Sequence, residues 1–229
     1  MIKETRQLPL ELPLEPRFGR ENFLVSPSND TAWTMFDRWP DWPGNMLLLV
    51  GPEGAGKSHL ASIWAQHAHA RTLSTVSLPL ADLPALARAG AVLLEDADKA
   101  PGVEKEFFHL INLLRETGGY LAITARRRPD HWGIVTPDLL SRLRLAPVVE
   151  IGSPDDALVR AVLVKLFIDR QLVVDTSVVE FIALRIERSL DAARSIVELI
   201  DREALARGRP VTRAIVSEVI ARMDAAREI

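Results

Sequence analysis

Apolar residues follow two different rhythms along this chain. Between residues 46 and 151 they form short unbroken runs: Met46–Val50, Thr72–Leu78, Ala91–Leu94, Tyr120–Thr124 and Val148–Ile151. Such runs, bounded by glycine, proline or charge, predict five strands buried on both faces. Between them, apolar positions recur at helical spacing over Lys57–Ala70, Leu80–Arg88 and Val103–Thr117. The alternation predicts an α/β sandwich around a mainly parallel, five-stranded sheet.

After Ile151 only the helical rhythm remains. Ser153-Pro154-Asp155-Asp156 predicts a helix start, with a capping serine, proline in the first turn and acids at the positive end. Ala157, Leu158, Ala161, Val162 and residues 165–167 continue it. Thr176 opens a second helix, with Val178, Val179, Ile182 and Ile186 on one face. Ser189–Arg207 forms a third, closed by Gly208, and Thr212–Arg227 a fourth. A boundary near Gly152 therefore separates an α/β domain, 16–152, from a small all-α domain, 153–229. Residues 1–15 carry leucines and prolines with no helical or hairpin pattern and read as an extended, mobile tail. Residues 16–43 gather Phe18, Phe23, Trp33, Phe36, Trp39 and Trp42, and a helix over Asp30–Trp39 would pack these rings onto the sheet.

Composition narrows the function classes. The 229 residues carry a net charge of −3 and are 48% hydrophobic; the pI is about 6.0. That balance argues against a dedicated nucleic-acid binder. The absence of cysteine excludes disulfides and thiol chemistry. No stretch reads as a signal peptide or a membrane span, so the default compartment is the cytoplasm, with no membrane partner.

The strongest chemical signal follows the first strand. Gly51-Pro-Glu-Gly54-Ala-Gly56-Lys57-Ser58 links that strand to a helix, the context a P-loop requires. The glycines let backbone N–H groups turn toward phosphate oxygens, and the helix N-terminus adds partial positive charge. Lys57 reaches the β and γ phosphates, and Ser58 can ligate Mg²⁺. The ligand expected is a purine nucleoside triphosphate or its diphosphate, ADP or ATP. The third strand ends in Glu95 and Asp96: Glu95 would hold the Mg²⁺ shell, and Asp96 would polarise the attacking water. Thr124 ends the fourth strand beside the γ-phosphate position. Asp98 reads as a solvated loop residue. Arg126-Arg127-Arg128 reads as solvated surface, with contact to an acidic partner as the alternative. For the aromatics of 16–43, the alternative to core packing is stacking around the nucleotide base.

The order of these motifs resembles the AAA+ superfamily and, more narrowly, the DnaA/Hda family of bacterial replication proteins. The residues that carry the resemblance are Gly51–Ser58, Leu93–Asp96, Thr124 and Pro137-Asp-Leu-Leu-Ser-Arg142-Leu. It implies a three-layer P-loop domain followed by a helical lid. It also implies that Arg142 is an arginine finger acting in a neighbour's site, and that Arg194 of the lid senses the nucleotide in its own chain. The sequence reaches Ile229 without a helix-turn-helix domain, and Gln7-Leu8-Pro9-Leu10-Glu11-Leu12 is similar to the family's sliding-clamp-binding peptide, with Glu11 in place of a proline. On that reading Gln7, Leu8, Leu10 and Leu12 bind the DNA polymerase III sliding clamp. The shortened relative, Hda, inactivates DnaA by stimulating hydrolysis of its bound ATP. The partners implied are DnaA and the clamp, with no sequence-specific DNA-binding domain, and a homodimer is left open. The chain would act as an activator of DnaA's ATPase rather than as an enzyme with strong turnover of its own. The alternatives are an autonomous P-loop ATPase, a DnaC-type helicase loader and a fragment of a DNA-binding initiator.

Overall fold

The structure, a computed structural model, describes residues 19–227. The tail residues Gln7, Leu8, Leu10 and Leu12, and the aromatic Phe18, lie outside the described residues. Five parallel strands form the sheet: β1 Met46–Val50, β2 Arg71–Ser74, β3 Ala91–Glu95, β4 Tyr120–Ala125 and β5 Val148–Glu150. Their spatial order is β2-β3-β4-β1-β5. β1 lies in the interior, with Leu49 opposite Thr124 of β4 and Val149 of β5.

The unbroken apolar runs are explained by cover on both faces. Helices α1 Asp30–Asp37 and α2 Lys57–His67 pack on one side; α3 Leu83–Arg88, α4 Glu104–Thr117 and α5 Pro137–Leu145 pack on the other. Leu47, Leu49, Leu93 and Ala122 join Phe36, Leu60 and Trp64 in one core. Leu48, Leu94, Leu121 and Ile123 join Phe107, Leu110 and Leu143 in the other. Successive strand residues thus alternate between two dry layers, and both must be apolar. Phe36 and Trp42 are buried, and Trp42 stacks on Trp64 with ring centroids 5.2 Å apart. Core packing, the first of the two expectations for these rings, is what they do.

Several boundaries differ from the sequence expectation. The strand expected over Thr72–Leu78 ends at Ser74, and Thr75–Leu80 forms a 3₁₀ helix. The Thr75 hydroxyl donates to the Glu95 carbonyl at 2.8 Å, Leu78 is buried, and Pro79 has no N–H to give a ladder. The helix expected from Leu80 starts at Leu83, where Asp82 accepts from the Ala85 N–H at 2.9 Å. α1 stops at Asp37, before Trp39.

The described residues divide into two compact units, one ending at Ser153 and the next beginning at Pro154. The second holds α6 Asp156–Asp169, α7 Thr176–Ala183, α8 Leu190–Arg207 and α9 Arg213–Arg227. Its own core contains Leu163, Phe167, Ile182, Ile196, Ile200 and Val216. Asp155, not Ser153, caps α6, accepting from the Leu158 N–H at 2.7 Å. Ser189 caps α8, and Gly208 closes it in the left-handed conformation. Among the described residues no helix is long and apolar enough to cross a membrane.

Candidate functional site

β1 delivers the chain to Gly51 in a crowded place. Its N–H donates to the Ala125 carbonyl at 3.2 Å, and a Cβ there would stand 2.4 Å from the Ile151 carbonyl oxygen. Only glycine lets the loop leave between the ends of β4 and β5. Gly54 and Gly56 take positive φ, +69° and +97°, which a side chain disfavours. Gly56 then caps α2 with no side chain of its own, so the N–H groups of the helix start stay open toward the loop.

Lys57 folds back over this loop and donates to the Pro52 carbonyl at 2.7 Å. Burial lowers its pKa. Asp98, Asp96 and Glu53 push the pKa up, and Arg126 pushes it down, so all four charges share its cleft. Ser58, in the first turn of α2, is exposed beside it.

The end of β3 supplies the acids. Asp96 follows Glu95 directly and adopts a left-handed backbone, φ 57° and ψ 47°. Non-glycine residues reach this region at a cost, and it recurs at functional sites. Two contacts hold Asp96 there. Its N–H donates to the Thr124 hydroxyl oxygen at 3.2 Å, and its carboxylate accepts from Lys99 at 2.8 Å. Thr124 is buried at the end of β4. Gly51, Gly54, Gly56, Lys57, Ser58, Glu95, Asp96 and Thr124 thus gather at the carboxyl ends of β1, β3 and β4, where open α/β sheets bind ligands.

The donor set fits a nucleotide phosphate: a glycine loop with no room for a Cβ at Gly51 and positive φ at Gly54 and Gly56, a helix N-terminus and a lysine now resting on a carbonyl. Among the described residues no group of three or more His, Asp or Glu forms a metal cage. Mg²⁺ is commonly held by one or two protein oxygens plus phosphate and water, and Ser58 and Glu95 are the oxygen donors that the loop after β1 and the end of β3 offer.

Two predicted residues lie elsewhere. Arg142, on α5, sits 5.9 Å over the Phe108 ring. With Arg115 it lines a groove of about 450 Å³ among Met46, Leu121, Leu145 and Pro147, where β1, β4 and β5 begin. Arg194 belongs to the helical unit and lies on α8, 3.4 Å from Asp191. The sequence reading missed two ion pairs at the cleft, Arg126 with Glu53 and Lys99 with Asp96. Lys99 three residues after Asp96 was a local hint; Glu53 and Arg126 are too far apart in sequence to suggest each other.

No protein-family model matches the chain. It is 27% identical to the chromosomal replication initiator protein DnaA of Thermomicrobium roseum, over 93% of this chain and 51% of that protein. The chain spans about half the length of the curated relatives it matches. Its fold superposes on domain III of the Thermotoga maritima replication initiation protein DnaA with a TM-score of 0.76, at 21% identity, covering 90% of this chain and 97% of that one. Against AMPPCP-bound DnaA from Aquifex aeolicus the TM-score is 0.70 at 20% identity, with 84% and 67% covered. The fold is therefore that of these DnaA structures, an α/β P-loop domain followed by a helical part.

Proposed function

We propose that this protein is a nucleotide-binding regulator of replication initiation of the Hda type. Held by the DNA-loaded sliding clamp through Gln7, Leu8, Leu10 and Leu12, it would stimulate hydrolysis of DnaA-bound ATP. The observation that carries this reading is the division of labour between the two ends of the sheet. The phosphate cradle closes around Lys57 at the carboxyl ends of the strands. Arg142 lines a groove where the strands begin. Five residues of strand span about 16 Å, which a guanidinium cannot bridge to its own cradle. A cation so placed is suited to another molecule's site.

In this chain the P-loop N–H groups and Lys57 would hold the phosphates, and Ser58 with Glu95 would hold hydrated Mg²⁺. A bound adenine nucleotide supplies a polyanion that fixes the loop, and in this reading its role is structural, with ADP as the resident form. Thr124 positions Asp96 through the Asp96 N–H. Arg142 presents a planar, permanently charged fork to the triphosphate held by DnaA, where charge develops as the terminal phosphoryl group leaves.

The test measures conversion of DnaA–ATP to DnaA–ADP. Wild-type protein should accelerate it when loaded clamp is present, and Arg142→Ala should not, although it binds nucleotide and clamp. A finger in trans contributes about 10³–10⁵ in rate, so the loss should be nearly complete. Wild-type rates from Arg142→Ala would refute the finger, and no acceleration by wild-type protein would refute the regulatory role. A second reading, autonomous ATPase, is favoured by Asp96, directly after Glu95 at the end of β3, sharing the cleft of Lys57. Turnover by the protein alone, abolished by Asp96→Asn, would establish it.

A further inference from the structure

The loop after β4 opens with Arg126-Arg127-Arg128, and the three arginines differ in what they touch. Arg128 pairs with Glu150 at 2.7 Å. Arg127 is exposed, and its carbonyl accepts from the Trp132 indole. Arg126 turns toward the cleft. Its guanidinium lies 3.0 Å from the carboxylate of Glu53, the third residue of the P-loop, and its N–H donates to Asp98 at 3.3 Å. One residue thus ties the phosphate loop after β1 to the acidic loop after β3.

This pair is built to come apart. The side chains of Arg126 and Glu53 are 50% and 71% exposed, and an ion pair so open to water contributes little to stability. A phosphate offers the guanidinium more: two or three oxygens, more charge and a bidentate fit. The other cations of the cleft are engaged, Lys57 with the Pro52 carbonyl and Lys99 with Asp96. With Arg126 tied to Glu53, the cleft presents Asp96 and Asp98 to any additional negative charge. A triphosphate brings about one charge more than a diphosphate, and releasing Arg126 from Glu53 would meet it.

We propose that Arg126 is a third cation of the nucleotide cradle, paired with Glu53 when a diphosphate is bound and exchanging that carboxylate for the γ-phosphate when a triphosphate binds. The Glu53 carboxylate competes with the terminal phosphate and biases the site toward the diphosphate. This rests on the P-loop being the nucleotide site, and it makes the identity of the bound nucleotide a property of one exposed ion pair.

The test is equilibrium binding of ADP and of the non-hydrolysable AMPPCP, with Mg²⁺, to the full-length protein. Glu53→Gln should tighten AMPPCP about fivefold and move ADP less than twofold. Arg126→Ala should weaken AMPPCP about tenfold while ADP changes less than threefold, and Arg126→Lys should fall between. The double variant Glu53→Gln/Arg126→Ala should match Arg126→Ala, because the carboxylate acts only through the guanidinium. An unchanged AMPPCP-to-ADP ratio in Arg126→Ala, or a Glu53→Gln gain that survives without Arg126, overturns the exchange. Lys57→Ala separates the two levels of the argument. If it binds both nucleotides like wild type, or wild type binds neither, the P-loop assignment fails and the exchange with it. If Lys57→Ala loses both while Arg126→Ala keeps the wild-type ratio, only the exchange fails.

Discussion

Gly51 is a residue whose whole contribution is the volume it leaves empty. A methyl group there would meet the Ile151 carbonyl oxygen at 2.4 Å, a backbone atom just beyond β5. It cannot turn away as a long side chain would, so the loop or the strand end must shift. Gly51→Ala should therefore cost about 1–3 kcal/mol of stability and weaken ADP binding at least tenfold. Denaturant melts and an ADP titration would check both, and binding within twofold of wild type would show that the loop tolerates the displacement. The motif glycines were legible in the sequence because their conformational demand is local. The Arg126–Glu53 contact was not. Two charged residues some seventy positions apart meet only because β1 and β4 are neighbours in the sheet.

At the scale of elements, Glu104 shows how one helix positions the next. It lies in the first turn of α4 and is buried, and its carboxylate accepts from the N–H groups of Val135 at 3.0 Å and Thr136 at 2.7 Å, directly before α5. Burial alone would raise its pKa, but hydrogen bonds from Thr136 and Val135 outweigh burial and lower it. A carboxylate with a depressed pKa stabilises the fold above its unfolded value of about 4.3, and that contribution is lost as pH falls through the folded value. Glu104→Gln keeps the shape but turns two donors toward each other. It should cost about 2 kcal/mol at neutral pH and flatten the acid limb of the stability profile. Urea melts between neutral pH and acid would show this, and an unaltered acid limb would remove Glu104 from that role. Because α5 carries Arg142, the proposed stimulation of DnaA predicts that the same substitution also lowers conversion of DnaA–ATP to DnaA–ADP. Elements were readable where burial was two-sided, as in β1, β3 and β4. The reading failed at Thr75–Leu78, which has strand-like composition but a side-chain hydrogen bond and a proline that favour a turn. It also failed at α6, where Ser153 and Asp155 both suit a cap and the sequence does not rank them.

At the scale of the molecule, the two units have separate cores, one pair of layers around the sheet and one within the four helices. Separate cores predict separate cooperativity. Hydrogen exchange of the full chain should resolve two plateaus of protection. ADP at a hundred times its Kd should raise the α/β plateau by about 2.7 kcal/mol. A single plateau, rising as one, would show that the chain unfolds as one body.

The position of β1 in the sheet has a consequence in time. Leu48 pairs with Val148, about a hundred residues further along, and Met46 pairs with Leu121. The phosphate loop is encoded early, yet the two strands that flank it are among the last of the domain to be made. At roughly 5–20 residues per second, the ribosome needs several seconds between releasing Val50 and supplying β5. Until β4 emerges, β1, four of whose five apolar residues are buried in the finished fold, has no ladder to enter. Loop closure on this scale is slow. The nascent chain is therefore most exposed to misassociation at the segment that later binds the ligand, and its competence to bind nucleotide arrives as a late event in folding.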